Sequence, residues 1–524
     1  MRKKNLIDYG IFVPSLIIII AISIPFTLYE AESLKLLNSI FDYIVEVFSW
    51  GYLWYGIILV AAGLYFSFSK YGQVVLGDPK EKPRFTLFEY ASILIAMGVG
   101  STIMRTGMLQ WTSVANDPPA GVEPGSTEAL LWGNAYSMFL WGFQVFAIFV
   151  MIAPAMGYIL HVRKRPLMRI SEACRVIFGD KLTDGWAGKV LDILFLVSIL
   201  AGASVTLGLG APIITHNLSA LLGMNVTFGM TIIVTIVWVF LFSLSAYLGI
   251  EKGIKRLSTW NMYLAGIFAI FILIAGPGVF ILNYFSDSVY FLLSNYLNIS
   301  LNTGSVYEGK ASHIQSNTVF WYAYSATWAM LHSVFAAKIS RGRTIKEMIL
   351  TYLLAPTLIS WIATGVLGGL GVHRYLNGDL SVLNLVEENE RMAAIPEILS
   401  TLPIAEFSII VFMIVALIFL TTTLDSTTYT VAAYTSTRDM SKFEPPKVLR
   451  IVIAAVITLM ALVLMRIGGL PPLEVISGLM GLPIIIVQFL LIYAAKRMID
   501  VDQAWKNNVR SKNTNLRSKS TNTG

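Results

Sequence analysis

The sequence predicts an all-α polytopic membrane protein with twelve transmembrane helices. Of the 524 residues, 56% are apolar and only 13% are charged, about half the charged fraction of an ordinary soluble domain. The apolar residues also fall into runs of about 20, the helical length that crosses ~30 Å of hydrocarbon. These two observations exclude a soluble enzyme. The runs do not alternate apolar with polar residues, which excludes a transmembrane β-barrel.

Each predicted span is an apolar run bounded by polar or charged residues. In order, the twelve spans are 11–30, 51–69, 88–113, 129–160, 190–214, 227–250, 260–284, 318–337, 348–372, 405–434, 451–468 and 473–495. Residues 286–297 and 393–402 have the pattern of short amphipathic helices that lie at the membrane surface. Residues 498–524 are rich in Asn, Ser, Thr, Lys and Arg, which predicts a solvated polar tail.

The basic residues indicate the orientation of the chain. If residues 1–10 are cytoplasmic and the spans alternate, 32 of the 38 Lys and Arg residues fall in cytoplasmic segments and five in outside segments. This asymmetry is what the positive-inside rule requires, and it explains the net charge of +7 without nucleic acid. It predicts cytoplasmic N- and C-termini in the cell's inner (plasma) membrane. The remaining basic residue, Arg105, lies inside the third span.

The motifs argue against an enzyme and against a channel. The chain has no HExxH, GxSxG or P-loop motif. One cysteine and five histidines without paired spacing exclude a disulfide framework and argue against a zinc site. No repeated pore motif is evident. We therefore expect no enzymatic activity and no organic cofactor, and a transporter is favoured because three spans are interrupted by glycine, hydroxyl or aromatic residues.

Two of these spans suggest an ion site. Gly and Ser within 96–102 of the third span permit unwound backbone whose carbonyls can coordinate a cation, although close helix packing explains the same residues. In the tenth span, 421–428 is a run of hydroxyls, which are oxygen ligands suited to sodium. The alternative is that each threonine bonds its own i−4 carbonyl. Asp425 in this run either supports an ion site or accepts a packing hydrogen bond.

The eighth span carries an aromatic stripe. Tyr324 and Trp328 are four residues apart and share a helix face with Trp321 nearby. Aromatic faces attract a quaternary ammonium group through cation–π interactions. The alternative is an aromatic belt at the membrane interface.

The sequence resembles the betaine/carnitine/choline transporters over about residues 10–497. The matching segments are Met97–Gly100, Pro118–Pro119, Ala135–Ser137, Trp141–Gly142, Glu251–Lys255, Thr318–Phe320 and Ile339–Thr344. The resemblance implies a leucine-transporter-like fold of two inverted five-helix repeats and a homotrimer. The repeats would comprise spans 3–7, within 87–284, and spans 8–12, within 318–497. Two accessory helices would occupy 11–86, and an interfacial helix and loop would occupy 285–317.

The resemblance also implies a substrate site. Family members hold a trimethylammonium group in an aromatic box, whose members match Trp141, Tyr324 and Trp328. Here Ser325 stands where the box usually has another tryptophan, and His332 follows one turn after Trp328.

Arg105 completes the predicted substrate site, because a charged residue in a span usually faces a cavity or a partner. We expect it to pair with a carboxylate or sulfonate of the solute. A pair with Asp425 and snorkelling to the outer interface are the alternatives.

The resemblance finally implies sodium coupling. Thr422 and Thr423 match the hydroxyl pair of the family's sodium-coupled members, Phe419 matches the carbonyl donor and Met97 the contact from span 3. Sodium-independent exchangers have an arginine where this chain has Asn261. We therefore expect sodium symport of a small zwitterion resembling betaine or carnitine.

The alternatives are an exchanger of substrate and product, a carrier of another zwitterion such as a sulfonate, and an osmolyte sensor that does not transport. A channel would instead show flux far above carrier rates and no counterflow.

Overall fold

The computed structural model describes residues 7–119, 121–303, 315–378, 382–384, 388–440, 442–466 and 481–503, and these are nearly all helical. The helices are α1 Tyr9–Leu28, α2 Glu30–Phe68, α3 Leu87–Gly98, α4 Gly100–Asn116, α5 Thr127–Leu140, α6 Phe143–Val150, α7 Ala153–Gly157, α8 Ile170–Thr183, α9 Trp186–Leu222, α10 Phe228–Leu248, α11 Lys255–Ala275, α12 Gly278–Leu301, α13 Phe320–Ile339, α14 Ile345–Ala363, α15 Gly369–Leu376, α16 Glu388–Leu399, α17 Ala405–Thr435, α18 Lys447–Arg466 and α19 Gly481–Gln503. Short π-helical turns lie at Tyr158–Val162, Ile250–Ile254, Gln315–Val319 and Thr364–Gly368.

Fewer helices of the structure qualify as membrane-crossing, by length and composition alone, than the twelve that the sequence predicts. Among the described residues, seven helices are long and apolar enough to cross a membrane, or eight if the bent pair α3–α4 is one span. One of the seven, Phe228–Ala275, covers two predicted spans, which Gly249 with its φ of +84° separates. Twelve spans therefore stay a prediction, while a helical architecture with several membrane-length helices is confirmed.

The third span is broken at Val99, within the glycine-rich stretch. Helix α3 begins with a capping box between Thr86 and Glu89 and ends at Gly98. Val99 has non-helical angles, and the segments on either side of the break differ in direction by 56°. At Gly100 an added Cβ would lie 2.7 Å from Cδ1 of Phe419. Only glycine therefore lets the broken span approach α17 this closely.

The seventh span ends earlier than the sequence indicates. The predicted span 260–284 is wrong in its last nine residues, because α11 ends at Ala275 and α12 begins at Gly278. Pro277 lacks an N–H and disfavours helical angles at the residue before it, so the Gly276–Pro277 pair ends the helix. Helix α12 is also longer than the surface helix predicted at 286–297.

Other predicted segments lie partly or wholly outside the described residues. The start of the twelfth span, the first six residues and most of the polar tail 498–524 are among them. The surface helix predicted at 393–402 corresponds to α16, which begins and ends several residues earlier.

Candidate functional site

A central cavity of about 80 Å³ lies among α4, α9, α13 and α17. Eight of the ten predicted site residues line it. They are Met97, Arg105, Trp141, Tyr324, Ser325, Trp328, His332 and Thr423. The other two, Phe419 and Thr422, are buried in α17 but do not line the cavity.

One wall of the cavity is aromatic. On α13, the ring centroids of Trp321 and Tyr324 are 5.9 Å apart, and those of Tyr324 and Trp328 are 6.3 Å apart. Trp141 meets Trp321 edge to face at 5.1 Å. An interfacial belt would face lipid headgroups, whereas these rings line an interior cavity and Trp141 and Trp328 are buried.

Trp141 reaches this wall because the fourth predicted span is itself interrupted. Helix α5 ends at Leu140, Trp141 leaves the helical region with φ −110° and ψ 37°, and α6 starts after Gly142. The Trp321 indole donates to the Leu140 carbonyl at 2.7 Å, which ties α13 to this break. The interruption therefore turns the Trp141 side chain toward α13.

The cavity walls contain two buried donors that lack a partner. Among the described residues, the indole N–H groups of Trp141 and Trp328 have no hydrogen-bond partner. Buried indole N–H groups normally find an acceptor, because leaving one unpaired costs the free energy of its desolvation. A bound solute with acceptor oxygens can satisfy these donors.

Arg105 lines the same cavity from α4, six residues beyond the break at Val99, and is half-buried. Snorkelling to the outer interface would take its side chain away from the cavity, which is not observed. Asp425 accepts a hydrogen bond from the Ser245 hydroxyl on α10 and does not line the cavity. The geometry thus favours the cavity-facing alternative for Arg105.

His332 lines the cavity and is held from two sides. Its ring stacks on Phe149 with centroids 4.1 Å apart and planes 11° apart. Its Nδ1 lies 2.5 Å from the Tyr352 hydroxyl. A solute contacting His332 therefore meets a side chain with a fixed position.

The hydroxyl run of α17 divides into two groups. Thr427, Thr428 and Thr430 each donate to their own i−4 carbonyl, which is the packing alternative for this run. Thr423 differs because its hydroxyl lies 3.0 Å from the Ala96 carbonyl on α3, in addition to 3.1 Å from the Phe419 carbonyl.

A cluster of oxygens therefore forms beside the break in the third span. Thr422 donates to the same Phe419 carbonyl at 2.9 Å, so two hydroxyls converge on one backbone oxygen. The carbonyl contributed by α3 belongs to Ala96, next to the predicted Met97, whose side chain lines the cavity. Hydroxyl and carbonyl oxygens are the hard ligands that an alkali cation prefers.

Sequence reasoning missed the contribution of α9. Thr206, Gly210 and Ile213 line the cavity on that side. An added Cβ at Gly202 would lie 2.8 Å from the Trp328 ring, and one at Gly210 would lie 2.5 Å from Leu420. The spacing of four between Gly202, Thr206 and Gly210 marks one helix face of small residues, and this signal was available in the sequence.

The chain is similar to one known protein family and to a solved structure. The family model described as BCCT, the betaine/carnitine/choline family transporters, matches residues 10–504. Among solved structures, the chain is similar to a Na⁺-coupled sialic acid symporter in its substrate-bound outward-open state. The identity is 13%, the match covers 85% of this chain and 86% of the other, and the TM-score is 0.45.

Proposed function

The chain belongs to the betaine/carnitine/choline transporter family, and on that premise we propose that it imports a small zwitterion by sodium symport. Family membership and several apolar helices make it a multi-pass membrane protein of secondary transport. The proposal extends to cytoplasmic termini in the plasma membrane, a homotrimer, and inverted repeats that rock around the central cavity.

The observation that carries this proposal is the combination of aromatic rings and a guanidinium group in one cavity. Trp141, Tyr324 and Trp328 offer ring faces to a cationic group, each contact contributing ~0.5–2 kcal/mol. Arg105 offers two parallel hydrogen bonds to a carboxylate or sulfonate. The aromatic part of the lining attracts a cationic group and Arg105 attracts an anionic group, so the cavity suits a zwitterion.

The size and composition of the cavity restrict the solute. Its volume of about 80 Å³ is well below that of pockets for drug-sized ligands, which span roughly 300–1,000 Å³. Ser325 removes one ring from the box that the family resemblance implies. We expect affinity for a trimethylammonium group to be about tenfold weaker, or ~1.4 kcal/mol, than with a complete box. A smaller ammonium headgroup is the alternative.

Sodium coupling is supported by the oxygen cluster beside the helix break. Thr423 joins α17 to the Ala96 carbonyl, so a cation there would bridge the two elements whose relative position changes during alternating access. Asn261 stands where the sodium-independent exchangers of the family have an arginine. Its side-chain amide donates to the Val415 carbonyl of α17 at 3.2 Å.

A sodium-independent exchanger is the second candidate. It is favoured by Arg105, a permanent cation that lines the same cavity as Met97 and Thr423. A fixed positive charge there can take over the electrostatic role of a bound cation.

Binding to purified protein tests the proposal. The panel is betaine, carnitine, choline, γ-butyrobetaine and taurine, each titrated in sodium and in potassium buffer. We expect a zwitterion to bind more tightly in sodium buffer than in potassium buffer. Choline lacks an acidic group, so we expect it to bind weakly in both. Equal affinities in both buffers would instead support the exchanger. Binding without any flux in proteoliposomes would support an osmolyte sensor.

A further inference from the structure

A second, apolar cavity of about 450 Å³ opens on the outer face of the protein between α11 and α14. We call it the lateral groove. Its walls include Tyr263, Ile267 and Ile270 of α11 and Ile362 of α14. These four side chains are 45–65% exposed. In a multi-pass membrane protein, exposed apolar side chains in spanning helices face hydrocarbon, so the groove is open to lipid.

The chemistry of the lateral groove excludes a polar solute. Its lining consists of aliphatic, aromatic and methionine side chains and four small residues, and the hydroxyl of Tyr263 is the one side-chain oxygen or nitrogen among these lining residues. A polar group placed there would lose its hydration without gaining partners. An acyl chain fills such a space without that cost and restores the contacts that an empty cavity lacks.

The basic residues near one end of the groove identify the rest of the ligand. Arg256 precedes Tyr263 by seven residues, so both lie on one face of α11. Trp260 lies between them and is 71% exposed, as expected for a ring at headgroup level. Neighbouring cations are engaged, since Lys255 pairs with Glu89 and Arg84 with Glu251. Arg256 is exposed and forms no ion pair within the described part of the chain.

We propose that the lateral groove binds one acyl chain of an anionic phospholipid whose headgroup lies at Arg256. The inference requires only that the protein is a multi-pass membrane protein and holds whatever solute it carries. Lys252 is also exposed and precedes Arg256 by one helical turn, so it adds to the attraction for an anionic headgroup.

The inner wall of the lateral groove connects this lipid to the candidate ion site through shared residues. Ile103 and Met104, one turn beyond the break in the third span, line the groove together with Phe419. The Phe419 carbonyl is the acceptor shared by Thr422 and Thr423. An acyl chain in the groove therefore contacts the broken span and α17 outside the central cavity, and favours the arrangement in which both are packed together.

Substitution at Gly266 tests occupancy. A Cβ added at this groove residue meets no atom within 4 Å, so Gly266→Phe places a ring in the groove without a clash at its first atom. Ile274→Phe is the matched control, because Ile274 is on the same helix, is 80% exposed and does not line the groove. The full-length protein is reconstituted with phosphatidylglycerol that carries a photoreactive group in its acyl chain, and labelled peptides are identified by mass spectrometry.

We expect labelling to concentrate on 262–272 and 359–367, to be lost in Gly266→Phe and to persist in Ile274→Phe. Arg256→Gln should lower labelling about fivefold, because each basic residue near the membrane surface contributes ~1 kcal/mol to the attraction for anionic lipid. Labelling of α11 no stronger than that of the exposed face of α10, or unchanged labelling in Gly266→Phe, would overturn the site. Equal labelling by a phosphatidylcholine probe would overturn the assignment of an anionic headgroup.

Discussion

Replacing Thr423 by valine is expected to weaken sodium binding while leaving the fold intact. Valine has nearly the shape of threonine, so the substitution exchanges a hydroxyl for a methyl without opening a cavity. The hydroxyl that disappears contacts the Ala96 carbonyl at 3.0 Å and the Phe419 carbonyl at 3.1 Å. It is thus both a candidate ion ligand and a direct link from α17 to the broken span.

The magnitude follows from one polar interaction. A hydrogen bond contributes about 0.5–1.5 kcal/mol net, and more when a charged group is involved. Removal of one oxygen ligand should therefore raise the sodium dissociation constant about tenfold, or ~1.4 kcal/mol. At a sodium concentration of ten times the wild-type dissociation constant, sodium stabilises the folded wild type by about 1.4 kcal/mol. At the same concentration it stabilises a variant with tenfold weaker affinity by only about 0.4 kcal/mol.

The assay is the sodium concentration that gives half-maximal thermal protection of the purified protein, with potassium at equal ionic strength as reference. This readout needs no knowledge of the solute. Thr428→Val is the matched control, because Thr428 is also buried on α17 but, within the described part of the chain, donates only to its own i−4 carbonyl at 2.7 Å. Equal midpoints for Thr423→Val and Thr428→Val, or no better protection of the wild type by sodium than by potassium, would show that Thr423 is not a sodium ligand.

Substitutions at three further positions test other parts of the structure. Trp328→Ala should abolish saturable uptake, and Trp328→Phe should retain part of it. Monodisperse elution in size-exclusion chromatography would show that both variants fold. Unchanged apparent affinity in the alanine variant would show that this ring is not part of the site. Arg105→Lys keeps the charge but loses the two-pronged geometry, so solute affinity should fall in binding titrations, whereas normal kinetics in Arg105→Gln would show that this residue does not contact the solute. Gly342→Ala should lower thermal stability by more than ~1 kcal/mol, because φ is +82° and the added Cβ would lie 2.5 Å from the Lys82 carbonyl oxygen, while Gly266→Ala should not.

Much of the central cavity was predictable from residue types and their spacing. A charged residue is costly inside a membrane and therefore marks a cavity or a partner. Arg105 is such a residue, and Tyr324 and Trp328 share a face by spacing alone. The glycine-rich stretch of the third span likewise predicted a break, which the structure places at Val99.

The remainder depends on contacts that a single sequence does not reveal. Which threonine of the run in α17 bonds across to α3 is decided by the approach of Gly100 to Phe419, and this is a tertiary distance. The Gly276–Pro277 pair, by contrast, was a local signal that ends α11, and a long apolar run obscured it. The small-residue face of α9 was also readable, but only the structure shows that it packs against Trp328 and Leu420.

Flux in proteoliposomes tests sodium-coupled transport of a zwitterion most directly. The purified protein is reconstituted in vesicles without internal solute, and uptake of the tightest-binding zwitterion is followed under an inward sodium gradient, an inward potassium gradient, and sodium with an ionophore that collapses the gradient. We expect accumulation above the external concentration only under the intact sodium gradient. Equal uptake in sodium and potassium, or uptake only when the vesicles are preloaded with solute, would contradict it.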